Sequence, residues 1–233
     1  MTRRWIWRLA CLLGSVTLLA GVSPERPAYS AERAARWEPD IAAFEAADRD
    51  HAPAKGGVLF LGSSSIRLWD LDRWFADLDA LNRGFGGSET RDSVHFIDRV
   101  VYPYAPRCIV FYAGDNDIAN GCAAAQVAED FRTFTAKVWA CLPETRLVYI
   151  AIKPSVDRWA LVEEMRTANR AVAAFCAGDA RLDFVDIGPP MLGEDGRPRP
   201  ELFVEDGLHL NDAGYALWTA LVKPLLGKDK HDG

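Results

Sequence analysis

The sequence predicts a three-layer α/β/α domain built on a five-stranded parallel sheet. Three observations predict it. Five short apolar, β-branched-rich runs recur along the chain: Val58–Gly62, Leu81–Phe85, Cys108–Ala113, Leu147–Ile152 and Leu182–Ile187. All but the second are apolar almost without a break, as strands buried on both faces are. Helical patterns separate them, and strand–helix alternation with right-handed crossovers puts helices on both faces of a parallel sheet.

Each element has a local justification. A helix over Trp37–Arg49 precedes the sheet, and Ile66–Phe75 reads as a helix after the first strand. The second strand is interrupted by Asn82, Arg83 and Gly84, and a helical pattern over Thr90–Tyr102 follows it. Longer helices are expected over Ala123–Cys141 and Val156–Ala177, after strands three and four. Pro189–Pro200, rich in Pro and Gly, reads as a surface loop. Asn211 is suited to cap a last helix over Asn211–Leu225.

The N-terminus follows different rules. Arg3, Arg4 and Arg8 precede the largely apolar stretch Leu9 to Val22, then come Pro24, Pro27, Ala28 and Ser30. That order is the pattern of an export signal, with cleavage expected near Ser30. Thr2-Arg3-Arg4-Trp5-Ile6 loosely resembles a twin-arginine signal. The alternative is an anchor that stays attached, but the apolar run is shorter than the ~20 residues a spanning helix needs. No Cys stands at its small-residue end to take a lipid. The expected organisation is an export signal over 1–30, a helix and linker over 31–57, and one domain over 58–227. The protein is then periplasmic or secreted, with no stable membrane span in the mature chain.

Composition narrows the function. The chain has 233 residues, 49% hydrophobic and 26% charged, as an ordinary globular protein does. Its formal net charge is -6 with no long basic run, which gives nucleic-acid binding no support. Export permits disulfides. Cys11 lies in the signal. Cys122 and Cys141 bracket a helix and stand too far apart to pair, roughly 28 Å at 1.5 Å per residue. Cys108, Cys141 and Cys176 share the sheet edge away from the candidate site. Cys141 bridged to Cys108 or Cys176 is one expectation, and buried free thiols are the other. No Cys-x-x-Cys or His-rich cluster suggests a metal, and no cofactor is expected.

Reactive groups of a parallel sheet gather at the C-terminal ends of its strands. Gly62-Ser63-Ser64-Ser65 follows the first strand, Gly86-Gly87 the second, Gly114-Asp115-Asn116-Asp117 the third and Pro154-Ser155 the fourth. Asp206-Gly207-Leu208-His209 comes after the fifth. A serine hydroxyl is a poor nucleophile at neutral pH. It needs an imidazole to take its proton and a carboxylate to orient that imidazole. A short Asp-x-x-His turn lets one loop supply both.

Phe60-Leu61-Gly62-Ser63-Ser64, Asn82-Arg83-Gly84-Phe85-Gly86-Gly87-Ser88, Gly114-Asp115-Asn116-Asp117 and Asp206-Gly207-Leu208-His209 resemble, in order, the signature blocks of the SGNH (GDSL) hydrolases. The resemblance spans roughly Val58 to Leu225 and is nearest to the platelet-activating-factor acetylhydrolase-like esterases. It implies a flavodoxin-like sandwich and assigns roles. Ser64 matches the nucleophile, His209 the general base and Asp206 its carboxylate. The backbone N–H groups of Ser64 and Gly87 and the side-chain amide of Asn116 match the oxyanion hole. Two departures stand out. Ser63 replaces an aspartate common in the family, which leaves Ser63, Ser64 and Ser65 to be told apart. Ile66 stands where Gly-x-Ser-x-Gly would need its second glycine, against a large α/β-hydrolase fold.

Ser155, Arg158 and Trp159, just past strand four, are candidates for the substrate-pocket wall, with packing the alternative for Trp159. Asp115 and Asp117 suit loop hydrogen bonds better than a metal. His95 and His51 belong to no motif, and Trp69, Trp74 and Trp218 are expected to pack helices. The combined reading is an exported serine esterase that cleaves short-chain esters through an acyl-serine, its substrate a small-molecule, glycan or lipid ester. Acyl transfer to a glycan hydroxyl and a non-catalytic glycan-binding domain are the rival readings.

Overall fold

The computed structural model describes residues 28–227. The export signal expected over 1–30 lies outside them except for its last three residues. The strands β1 (Val58–Gly62), β2 (Ala80–Gly84), β3 (Cys108–Tyr112), β4 (Arg146–Ile150) and β5 (Leu182–Val185) form one sheet in the order β2-β1-β3-β4-β5. Every pairing is parallel, with Gly62 in register with Gly84 and with Tyr112. This is the expected flavodoxin-like α/β architecture.

The sheet divides its side chains by alternation. Leu59, Leu61, Ile109, Phe111, Leu147 and Tyr149 face one layer. That layer holds α1 (Ala31–Asp50), α4 (Thr90–His95), α5 (Ile97–Val100), α7 (Ala124–Cys141) and α8 (Val162–Cys176). Val58, Phe60, Val110, Tyr112, Val148 and Ile150 face the other, which holds α2 (Ser64–Arg67), α3 (Leu71–Trp74) and α9 (Asp212–Leu226). Here Trp69 packs edge-on to Phe60 and Trp218, with ring centroids 5.5 and 5.6 Å apart. Truncating such a buried aromatic to Ala costs about 3–5 kcal/mol. Helix α1 extends the expected Trp37–Arg49 in both directions and buries Trp37 and Ile41 in the first layer.

Three expected helices are broken. Ile66–Phe75 splits into α2 and α3 because Asp70 caps a new start, its carboxylate accepting from the Arg73 N–H at 3.1 Å. Thr90–Tyr102 splits into α4 and α5 at Phe96 and ends in a 3₁₀ turn over Tyr102–Tyr104, where Pro103 has no N–H to continue it. Val156–Ala177 begins as α8 only at Val162, after a 3₁₀ turn over Trp159–Leu161. The last helix starts where expected, with the Asn211 side chain accepting from the Ala213 and Gly214 N–H groups.

The expected Cys141 bridge is not formed, since Cys108, Cys141 and Cys176 are free thiols. Cys108 is buried in the α9 layer and Cys176 in the α8 layer, so the sheet separates them, while Cys141 is exposed. Burial raises the Cys108 thiol to about 11 and the Cys176 thiol to about 12, which makes them packing groups rather than nucleophiles.

Candidate active site

The strand order reverses around β1, so the crevice beyond β1 and β3 is the switch point where α/β sheets place their ligand groups. Gly62 ends β1 with φ of +145°, and a Cβ there would overlap the Tyr112 carbonyl. Only glycine lets β1 run this close to β3. The chain then turns sharply. Ser63 donates its N–H to the Tyr112 carbonyl at 3.0 Å, and Ser64 opens α2.

The β5–α9 loop meets it from the other side. The His209 Nδ1–H donates to Asp206 Oδ2 at 2.6 Å, and Nε2 lies 2.9 Å from Ser64 Oγ. With the proton on Nδ1, Nε2 is left as the acceptor for the serine hydroxyl. Asp206 Oδ1 accepts from the Leu208 and His209 N–H groups, each at 2.8 Å. Desolvation pushes the Asp206 carboxyl up, but the hydrogen bonds from the His209 ring and from these two N–H groups outweigh it and hold it at about 2. The loop is pinned by Val204 N–H on the His209 carbonyl (2.9 Å) and Asp157 N–H on the Gly207 carbonyl (3.1 Å). Of the three serines, Ser64 is the one within reach of the imidazole. The Ser65 hydroxyl contacts Lys153, and the buried Ser63 hydroxyl has no partner among the described residues.

Three donors sit on adjoining loops. The Ser64 N–H opens a helix and has no partner among the described residues. The Gly87 N–H has none either, and Gly87 takes φ of +80°, a conformation glycine adopts freely. Asn116 donates one side-chain N–H to the Ser88 carbonyl at 3.0 Å, which fixes the amide against the Gly86–Gly87 turn and leaves its second N–H available.

Beneath the serine lies a network centred on Lys153, a residue that sequence reasoning missed. The Lys153 ammonium is buried and reaches Ser65 Oγ (3.2 Å), Tyr112 OH (3.0 Å) and Asp115 Oδ2 (3.0 Å). Asp115 Oδ1 accepts the Asn116 N–H at 2.9 Å. Arg158 stands 3.4 Å from Asp115 Oδ2. Burial raises the Asp115 carboxyl, but the charges of Lys153 and Arg158 outweigh it and keep the group below its ordinary value. The ammonium therefore links the residue after Ser64 to the residue before Asn116. The one sequence signal for it was a lysine directly beyond an apolar strand, at the rim where the other loops converge.

The remaining candidates take definite places. Asp117 accepts the Thr90 N–H at 3.1 Å on both oxygens, so Asp115 and Asp117 both serve loop hydrogen bonds. Among the described residues no group of three His, Cys, Asp or Glu side chains is placed to hold a metal ion. Ser155 is buried and accepts the Arg158 N–H at 3.3 Å. Trp159 lies 5.7 and 5.3 Å from the guanidinium carbons of Arg166 and Arg197, and lines a cavity of about 470 Å³ with Val156, Arg197 and Glu201. His95 stacks on Tyr29, with ring centroids 4.1 Å apart. No helix of the described residues is long and apolar enough to cross a membrane.

Residues 65–217 match the model of the GDSL-like lipase/acylhydrolase family. The chain belongs to that family. It is a hydrolase acting on ester bonds. The match opens one residue past Ser64 and takes in the Gly86–Gly87 turn, Asn116 and the Asp-His turn. The chain is similar to the human platelet-activating factor acetylhydrolase IB subunit alpha1, 28% identical over 223 residues that cover 91% of this chain and 93% of the relative. A structure described as a putative platelet activating factor from Streptococcus pneumonia superposes with a TM-score of 0.74 at 21% identity, covering 84% of this chain and 95% of that one. An acetylxylan esterase from Geobacillus stearothermophilus superposes with a TM-score of 0.61 at 14% identity, covering 76% and 96%. At these identities the two structures speak for the fold.

Proposed function

We propose that this GDSL hydrolase is a serine esterase that cleaves short-chain carboxylic esters through an acyl-serine intermediate. The observation that carries the reading is the unbroken chain Ser64 Oγ–His209 Nε2, His209 Nδ1–Asp206 Oδ2, at 2.9 and 2.6 Å. Ser64 Oγ attacks the ester carbonyl carbon while its proton passes to His209 Nε2. Asp206 keeps the ring in the required tautomer and steadies the imidazolium that forms. The carbonyl oxygen becomes an oxyanion and is held by the Ser64 and Gly87 N–H groups and the free N–H of Asn116. His209 returns the proton to the leaving alkoxide. Water, deprotonated by His209, then attacks the acyl-serine and frees the acid and Ser64.

A single residue joins β1 to α2, and β3 passes through Ala113 and Gly114 directly into α6 (Asp115–Ala119). Neither connection has room for an apolar lid, and this supports short acyl groups. Ser155 and Arg158 border the site through Asp115 and the Asp157–Gly207 contact. The reading also takes residues 1–30 as an export signal and the enzyme as periplasmic or secreted. The test is hydrolysis of p-nitrophenyl esters of rising chain length by the wild type and by Ser64→Ala. Fast cleavage of acetate and butyrate, falling beyond them and abolished in the variant, is the expected result. No cleavage by the wild type, or full activity in the variant, overturns the reading. Acetyl release measured with and without an oligosaccharide acceptor separates hydrolysis from acyl transfer.

A further inference from the structure

The rim beside the oxyanion loops carries two arginines that the mechanism does not use. Among the described residues most guanidinium groups of this acidic chain are neutralised internally, as Arg33 is by Asp92, Arg99 by Glu38 and Glu45, and Arg146 by Asp183. Arg36 and Arg67 are exposed and have no carboxylate partner among the described residues. Both lie on the Gly86–Gly87 turn. A methyl group on Gly86 would stand 2.9 Å from the Cζ and Nε of Arg67, and one on Gly87 would stand 3.6 Å from Arg36 Nη2. A methyl group on Gly84 would collide with the Arg67 backbone. Gly84 and Gly86 thus clear the space in which Arg67 lies. Arg36 is steadied by the Trp37 ring, whose centroid is 4.5 Å from its Cζ.

These charges are close to the reacting centre. Gly62 and Gly84 are in register on adjacent parallel strands ~4.8 Å apart, so the turns carrying Ser64 and Gly86–Gly87 leave the sheet from neighbouring strand ends. Arg67 is three residues beyond Ser64, a neighbouring position on one helix face. Across the site, Val156 is exposed and packed on Gly207 of the Asp-His turn, next to the charged pair Asp157 and Arg158. A scissile ester bound at Ser64 meets two held guanidinium groups, without carboxylate partners among the described residues, on the Gly86–Gly87 side. Guanidinium forks match carboxylate and phosphate oxygens.

We propose that Arg36 and Arg67 form an anion subsite that selects esters bearing a carboxylate or phosphate near the scissile bond. This rests on the Ser64 esterase reading and deepens it. The test compares kcat/KM for three acetyl esters: 4-acetoxybenzoate, 4-acetoxyphenyl phosphate and the uncharged methyl 4-acetoxybenzoate, each scaled to its spontaneous hydrolysis. The wild type should favour at least one charged ester tenfold or more over the neutral one at low salt. Carboxylate and phosphate arms distinguish the two sources of the anion. Arg36→Ala/Arg67→Ala should bring the ratio near one, while Arg132→Ala/Arg170→Ala, which removes the same charge elsewhere, should keep it. A ratio near one in the wild type, or one that survives Arg36→Ala/Arg67→Ala, overturns the proposal. Titration of Ser64→Ala with benzoate and phenyl phosphate, followed by NMR of the Gly86 and Gly87 amides, reads binding without turnover. Saturable shifts with no ester cleaved by the wild type would sink the esterase reading and leave the subsite standing. Absence of shifts would sink the subsite alone.

Discussion

Replacing Lys153 with Met should damage stability and catalysis together, because one ammonium holds two parts of the site. Lys153 is 1% exposed and satisfies Ser65 Oγ, Tyr112 OH and Asp115 Oδ2. Methionine fills similar volume, so the loss is electrostatic rather than a cavity. It leaves the Asp115 carboxylate, 4% exposed, with Arg158 at 3.4 Å as its remaining cation. Breaking one side of a buried ion pair costs about 3–5 kcal/mol. At about 2–4 °C per kcal/mol for a chain of this size, Tm should fall by roughly 6–20 °C. The Asp115 carboxyl should rise, since its largest attractive partner is gone. Asp115→Asn in the Lys153→Met background removes the stranded charge and should recover part of the loss, giving strong coupling in a double-mutant cycle. Denaturant unfolding measures the stability side. On the kinetic side kcat should fall more than KM rises, because Ser65 and Asn116 shift with the reacting groups rather than with the substrate's distal parts. Lys153→Arg should restore part of both. A Lys153→Met protein within 1 kcal/mol of wild type, or strictly additive single and double variants, would refute the reasoning.

Other outcomes follow from the same geometry. In the proposed mechanism Asn116→Ala removes a donor to the oxyanion and should lower kcat by about 10²–10³ with little change in KM, read by steady-state kinetics. Gly62→Ala drives a methyl group into the Tyr112 carbonyl at a φ of +145° and should destabilise the fold by roughly 2–4 kcal/mol in denaturant unfolding. Asp206 is held at about 2, below its unfolded value of 3.8. Its contribution to stability is therefore complete above pH 4 and lost as pH falls toward 2. Protonation of Asp206 should accordingly add no downward step to log kcat/KM above pH 4, and an Asp206-dependent loss of activity there would contradict the assignment.

What the sequence revealed followed the range of the forces involved. Ser64, Asp206 and His209 were legible because short blocks carry them, and Asp206 bonds to its own neighbours Leu208 and His209. Gly87 and Asn116 were legible from the resemblance to the family's blocks, and the structure gives Gly87 a positive φ and holds the Asn116 amide on the Ser88 carbonyl. The strands were legible from apolar runs, with ends displaced by one or two residues. The Lys153 group escaped because its members come from the ends of β1, β3 and β4 and share no local pattern. The broken helix after β1 escaped because Asp70 looks like an ordinary polar face residue until its carboxylate caps Arg73. The Cys141 bridge failed because edge position says nothing about which side of the sheet a thiol faces.

The site joins two parts with different physics. Ser64 and the proposed donor Asn116 rest on a buried platform: Gly62 against Tyr112, Lys153 against Ser65 and Asp115, and Asn116 against Ser88. The proposed acid–base arm is more exposed, with Asp206 46% and His209 28% accessible, and it is held by backbone bonds within its own loop and by the Asp157 N–H on the Gly207 carbonyl. An exposed carboxylate–imidazole pair adds little to stability, so the arm can be changed without unfolding the domain, whereas the platform cannot. Substitutions at Asp206 or His209 should therefore leave a folded protein that still binds ester and still presents oxyanion donors. Substitutions beneath Ser64 disturb nucleophile and donors at once. Because the bond from Ser64 Oγ to His209 Nε2 is where the platform delivers its nucleophile to the arm, a variant that lengthens that bond loses most of what either part contributes, and further losses in the other part add little to the damage.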